Sequence, residues 1–130
     1  MSKLDNYREL IENRLSEVPS KNNPQGLYNP IKYILSLGGK RIRPVLCLSA
    51  TALFDENKIE ESIPAALALE TFHNFTLLHD DIMDNSPLRR NKPTVHKKWN
   101  NNSAILSGDA MLIEAYKLVA KIPEKLLSKS

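Results

Sequence analysis

The chain has 130 residues, 42% of them hydrophobic and 25% charged, with 18 basic against 15 acidic side chains for a net charge of +3. That is enough apolar material for one packed domain or part of one, while the charge is too small, and too little interleaved with aromatic residues, to support nucleic-acid binding. The single cysteine, Cys47, excludes an intrachain disulfide framework and makes the cytoplasm the default compartment; no apolar run reaches membrane-spanning length, and no signal-peptide core opens the chain.

The first expected element is an amphipathic helix carrying Leu4, Tyr7, Leu10, Ile11, Leu15 and Val18. Residues 21–29, rich in Asn and Pro, read as a loop. Residues 30–37 predict a short helix with Gly38-Gly39 as its C-cap, and Arg43-Pro44 predicts the start of another, with proline at the favoured first position. The junction GGKRIRP therefore carries Lys40, Arg41 and Arg43 where the amides and positive dipole end of the next helix emerge. Cations are unfavourable there unless an anion joins them, so the junction is either a phosphate or diphosphate seat or a solvated loop.

Residues 62–83 are apolar nearly all the way round, the pattern of a buried central helix. Its polar residues form a stripe: Glu70, His73, Leu77, Asp80 or Asp81, and Asp84 follow at steps of three and four, which stacks side chains on one helical face. Carboxylates at a helix C-terminus oppose the macrodipole by about 0.3–1 kcal/mol each and repel one another, so Asp80, Asp81 and Asp84 call for a cation. Asp80 and Asp84 point the same way and suit Mg2+, which takes one or two carboxylates together with substrate phosphate oxygens. A turn at Ser86-Pro87 lets Arg89 and Arg90 fold back to the same place and grip phosphate with their planar forks. The plainer alternative is an acidic helix end followed by a solvated basic loop. Lys97 and Lys98 read as solvated charges, and residues 103–122 predict a last helix, apolar over most of its circumference and ended by Pro123. It has few partners within the chain, which predicts exposed apolar surface, oligomerisation or a missing segment. No strand is obvious, so the fold class is all-α, read as one incomplete domain over residues 1–130.

GGKRIRP, then ETFHNFTLLHDDIMD, then the paired arginines followed by KPTVHKKW and AILSGDAML, resemble in order and spacing the N-terminal part of the trans-isoprenyl diphosphate synthases, also called polyprenyl synthetases. The resemblance covers nearly all of the chain after Pro30. It implies the N-terminal helices of an isoprenoid-synthase bundle that stops before the family's second aspartate-rich motif, and a prenyltransferase function: 1'-4 condensation of isopentenyl diphosphate with an allylic diphosphate. DDIMD would be the first aspartate-rich motif, with Asp80 and Asp84 binding the magnesium ions that clamp the allylic diphosphate and Asp81 supporting them. Arg89 would hold that diphosphate, while Lys40, Arg43 and His73, joined by Arg90, would hold isopentenyl diphosphate. Bulk at Phe75 and Thr76 would limit product length, with Phe75 favouring farnesyl or geranylgeranyl diphosphate; ideal winding alone does not choose between the two residues. Asn91 stands where the family usually has glycine, and tolerates the left-handed turn. The last helix would lie near a homodimer contact. The absent second motif implies that the piece alone is inactive. Two other functions fit the residues less well: a non-catalytic diphosphate-binding or regulatory subunit, and a metal phosphohydrolase built on His79-Asp80, with His96 placed in the PTVH turn.

Overall fold

The computed structural model describes residues 2–19 and 25–122. Six helices run in the order α1 (Lys3–Leu15), α2 (Gln25–Ser36), α3 (Ile42–Phe54), α4 (Ile59–Asp84), α5 (Val95–Lys98) and α6 (Asn101–Ala120) among the described residues. A 3-10 turn, Glu56–Lys58, leads into α4, and a hairpin of β1 (Leu88–Arg89) with β2 (Lys92–Pro93) follows it. The start of the expected loop at residues 21–24 and the helix stop at Pro123 lie outside the described residues.

Local chemistry explains the ends. Ser2 and Asp5 form a reciprocal capping box on α1, Asp55 caps the 3-10 turn through the Asn57 amide, and Asn100 caps α6 through the Ser103 amide at 2.7 Å. Two boundaries differ from the sequence reading. Helix α2 begins at Gln25 rather than Pro30, so the proline lies inside it, and its missing N–H forfeits only one bond, to the carbonyl of the exposed Gly26 near the helix start. Helix α3 begins at Ile42 with Arg41 as its N-cap, so Pro44 sits third rather than first, still among the positions whose N–H would have no partner.

Helix α4 is the axis of the molecule, about 39 Å long at 1.5 Å per residue over its 26 residues. It packs against α1, α2, α3 and α6, burying Ile63, Ala66, Leu67 and Leu78 with Ile11 and Leu15 of α1, Ile31 and Ile34 of α2, Leu48 of α3, and Ala104 and Met111 of α6. Gly108 lets α6 approach: a Cβ there would meet Leu78 Cδ2 at 3.3 Å and the Phe75 ring at 3.6 Å. Gly108→Val should therefore lower stability by about 1–3 kcal/mol, read as a fall in the urea midpoint at unchanged slope.

The opposite side of α4 is uncovered. Ile42, Leu46 and Leu53 on α3, Leu69 and Phe72 on α4, and Ile113, Tyr116 and Val119 on α6 are all exposed, and a groove of about 410 Å³ between α4 and α6 is lined by apolar residues including Ala65, Leu69, Phe72 and Tyr116. Exposed apolar surface is thus present on α6, as its sequence predicts, but also on α3 and α4. No helix among the described residues is long and apolar enough to cross a membrane.

The hairpin went unforeseen. Its two strands have two residues each, too short for alternation to show, and its loop residues Arg90 and Asn91 have φ of 51° and 65°, the left-handed pair of a type I′ turn. Asn85 closes α4 in the left-handed region, with the Ser86 amide bonded to the Asp81 carbonyl at 3.0 Å. Thr94 then ties the hairpin down, its hydroxyl donating to the Ser86 carbonyl and its amide to that of Pro87, while the Tyr33 hydroxyl of α2 donates to the Pro93 carbonyl at 2.6 Å. The arginines are thereby turned back along α4.

Candidate diphosphate site

A hollow of about 190 Å³ opens where the α2–α3 junction meets the middle of α4, and its lining includes Gly39, Lys40, Arg41, Arg43, His73 and Arg90. Five of these, Lys40, Arg41, Arg43, His73 and Arg90, are singled out by the sequence on three separate segments, and the fold brings them to one place. The backbone of the junction makes this possible: Gly38 and Gly39 have φ of 82° and 145°. Gly39 carries no side chain for a second reason, since a Cβ would stand 3.1 Å from Arg90 Nη2. The Arg90 guanidinium lies over that glycine, which joins the hairpin to the GGKRIRP junction.

His73 contacts Arg43, Nη1 to Nε2, at 3.2 Å. A guanidinium can only donate, so Nε2 accepts and the proton of the neutral ring sits on Nδ1. Burial, and after it the Arg43 charge, lowers the His73 pKa below its usual 6.5, with Glu70 opposing. The sign is definite: an unfolded chain binds this proton before the folded one, so the contribution of His73 to stability is present above 6.5 and is lost as pH falls toward the lowered value. An anion in the hollow would reverse the shift, drawing a proton onto His73 as it binds. Inorganic diphosphate should accordingly bind wild type increasingly better than His73→Gln as pH is taken from about 7.5 to about 5.5, a ratio that calorimetry on the two proteins measures directly.

Arg41 is placed differently from its neighbours. It is 2% exposed, in the left-handed region at φ 52°, with its guanidinium turned into the protein. Nε donates to Glu12 at 2.6 Å and Nη1 to Glu70 at 3.0 Å, while Nη2 reaches the Leu35 carbonyl. Burial works against its charge, but the bonds to Glu12 and then Glu70 outweigh it and raise its pKa. The sequence reading groups Arg41 with the anion contacts of the junction; in the fold its donors are engaged with Glu12, Glu70 and the Leu35 carbonyl. Glu70, which the polar stripe includes, is likewise turned to Arg41 and to Asn74, whose Nδ2 donates to its Oε1 at 3.1 Å. Asn74, one residue past His73 and one turn past Glu70, was missed; only its position beside the stripe could have marked it.

At the far end of the stripe Asp81 is buried and accepts both forks of Arg89 at 2.8 Å, a bidentate pair that raises the Arg89 pKa. Arg89 is therefore held by Asp81 with the charge of Asp80 acting on it too, while Asp80 and Asp84 stay exposed. Two exposed carboxylates four residues apart on one helix form a donor set that fits magnesium only in company with oxygens from a ligand. No three His, Cys, Asp or Glu residues among those described converge on a metal position. Of the three histidines, His73 is bonded to Arg43, the His79 ring lies 6.0 Å from that of Phe75, and His96 is buried on α5 with neither ring nitrogen hydrogen-bonded.

Phe75 is half-buried toward α6, with its ring near Gly108 and tilted against Phe72 and His79, while the Thr76 hydroxyl bonds the His73 carbonyl. Lys97 is exposed, and Lys98 lies 5.0 Å from the Tyr33 ring centroid.

The chain is similar to proteins of known identity. The chain is 41% identical over 128 residues to a geranylgeranyl diphosphate synthase of Cyanophora paradoxa, covering 94% of this chain and 42% of that protein. It is 42% identical to a short chain isoprenyl diphosphate synthase of Methanocaldococcus jannaschii, covering 96% of this chain and 40% of that protein. A crystal structure of geranylgeranyl pyrophosphate synthase, 51% identical, superposes with a TM-score of 0.84 over 91% of this chain and 36% of its own. That of heptaprenyl diphosphate synthase from Staphylococcus aureus, 30% identical, gives 0.86 over 98% and 42%. The chain spans about two-fifths of the length of the relatives it matches. With residues 24–129 matching the Polyprenyl synthetase family model, and an all-α fold shared with these isoprenoid synthases, the chain belongs to the polyprenyl synthetase family.

Proposed function

We propose that this chain forms the first part of a prenyl-transfer centre that condenses isopentenyl diphosphate with an allylic diphosphate. The observation that carries the proposal is the gathering of Lys40, Arg43, His73 and Arg90 around one hollow, next along α4 to a carboxylate end that presents Asp80 and Asp84. The hollow seats the diphosphate of isopentenyl diphosphate, with Lys40 as a point charge and Arg43 and Arg90 as forks. Asp80 and Asp84 hold magnesium, which when bound neutralises the charge of the allylic diphosphate. Asp81 keeps Arg89 in place beside that second seat.

With both diphosphates anchored, the allylic carbon–oxygen bond breaks and its electron pair leaves with the diphosphate, whose growing charge Arg89 stabilises. The double bond of isopentenyl diphosphate attacks the allylic carbon, and loss of a proton to the released diphosphate completes the product. Leu77 and the apolar residues of α4 exclude water from the cation. The half-buried Phe75 supports a short product such as farnesyl or geranylgeranyl diphosphate. The apolar face of α6 supports a homodimer.

On this reading DDIMD supplies one half of the magnesium clamp, and the 130 residues by themselves are expected to bind diphosphate without turning it over. Isothermal titration with isopentenyl diphosphate, followed by extraction of products from a mixture with geranyl diphosphate and Mg2+, tests both parts. Binding without prenylated product is the expected result. Prenyl transfer by this polypeptide would overturn the inactivity, and absence of any binding would overturn the site.

A further inference from the structure

We propose that Arg41 is a positioning residue for the diphosphate seat and not one of its ligands; the inference rests on the diphosphate reading of that hollow. Its side chain has no exposed surface. One guanidinium joins Glu12 of α1, Glu70 of α4 and the last turn of α2 at the Leu35 carbonyl, and the residue bearing it lies between Lys40 and Arg43. A second tether from α1 reaches the same junction, the Arg8 Nε donating to the Lys40 carbonyl at 3.2 Å. The left-handed backbone at Arg41 is a conformation that a side chain with a Cβ holds only when its surroundings fix it, and these contacts supply that hold. At the other end of the network, Asn74 secures Glu70 one turn before His73. The same set of bonds thus sets where Lys40 and Arg43 enter the hollow and where the α4 wall presents His73 to Arg43.

The two roles open to Arg41 predict opposite signs. Glu12 lies on α1 with its side chain 44% exposed. If Arg41 gripped the anion, Glu12→Gln would free a cation for the hollow and remove a negative charge nearby, and binding would tighten. If Arg41 positions the junction, the same change loosens it and binding weakens. The Arg41→Lys variant separates the roles in a second way, because an ammonium keeps the charge but cannot hold three acceptors in the fixed geometry of a fork.

The expected result is that inorganic diphosphate, titrated calorimetrically, binds Glu12→Gln and Arg41→Lys about tenfold more weakly than wild type. A ligand-free readout accompanies it: the His73 ring titrated by NMR. The charges acting on His73 are Arg43, Glu70, Arg89 and Arg41, and deleting the Glu12 carboxylate can by direct electrostatics only lower its pKa, whereas slackening of the Arg43 contact raises it. A raised His73 pKa in Glu12→Gln is expected. Unchanged or tighter diphosphate binding in Glu12→Gln, full affinity in Arg41→Lys, or an unchanged or lowered His73 pKa would overturn the positioning role. Should wild type bind no diphosphate, the proposed function fails, and the His73 titration still decides whether Arg41 holds the junction. If Arg41→Lys does not fold, Glu12→Gln carries the test alone.

Discussion

Glu70→Ala is expected to destabilise the fold by about 3–5 kcal/mol, enough to unfold a domain of ordinary stability. Glu70 is 4% exposed, and its carboxylate sits against the wholly buried Arg41 side chain. Removing it leaves a buried cation with one partner fewer and takes one of two acceptors from Asn74 Nδ2, whose bond to the Glu70 backbone carbonyl remains. Glu70→Gln keeps an acceptor for both donors while losing the charge, and should cost clearly less. Urea denaturation of the two variants beside wild type checks the ordering; equal costs would mean that shape rather than charge governs the site. The effect reaches function through geometry, since His73 stands one turn further along the same helix.

Arg43→Ala should weaken isopentenyl diphosphate binding by about 10- to 100-fold while leaving the thermal midpoint nearly unchanged. Arg43 is exposed, contacts only His73 among the polar interactions described, and removes no buried partner when truncated. A charge-assisted bond to a phosphate oxygen is stronger than a neutral one by about a factor of two, and a bidentate fork adds a second. Arg43→Lys restores the charge without the fork and should fall between. Loss of the Arg43 cation also lifts one of the forces that depress His73, so in the unliganded protein the His73 pKa should rise toward 6.5 in the alanine variant.

These contrasts show what a sequence carries and what it withholds. Helix α4 was readable because an apolar circumference with a polar stripe at steps of three and four fits a buried helix and no strand or loop, and the DDIMD end with its following arginines could be placed on it. Lys40, Arg43, His73 and Arg90 were named as anion contacts on local charge and family pattern, and the fold does gather them around one hollow. Arg41 could not be sorted from its neighbours, because three cations within four residues look alike until a left-handed backbone turns one of them inward toward acids on α1 and α4, 29 residues away on either side. Arg89 posed the same difficulty: its partner Asp81, eight residues before it, is brought into register only by the Asn85 turn and the hairpin. Strands of two residues, one ending in proline, lie below the length at which periodicity is visible.

The central claim is that the GGKRIRP junction and the middle of α4 form one diphosphate seat, and backbone NMR of the labelled chain titrated with isopentenyl diphosphate tests it most directly. The account predicts saturable shifts concentrated at Gly38, Gly39, Lys40, Arg43, His73 and Arg90, with residues on the far half of α6 unmoved. No saturable shift, or shifts confined to the apolar groove between α4 and α6, would contradict it.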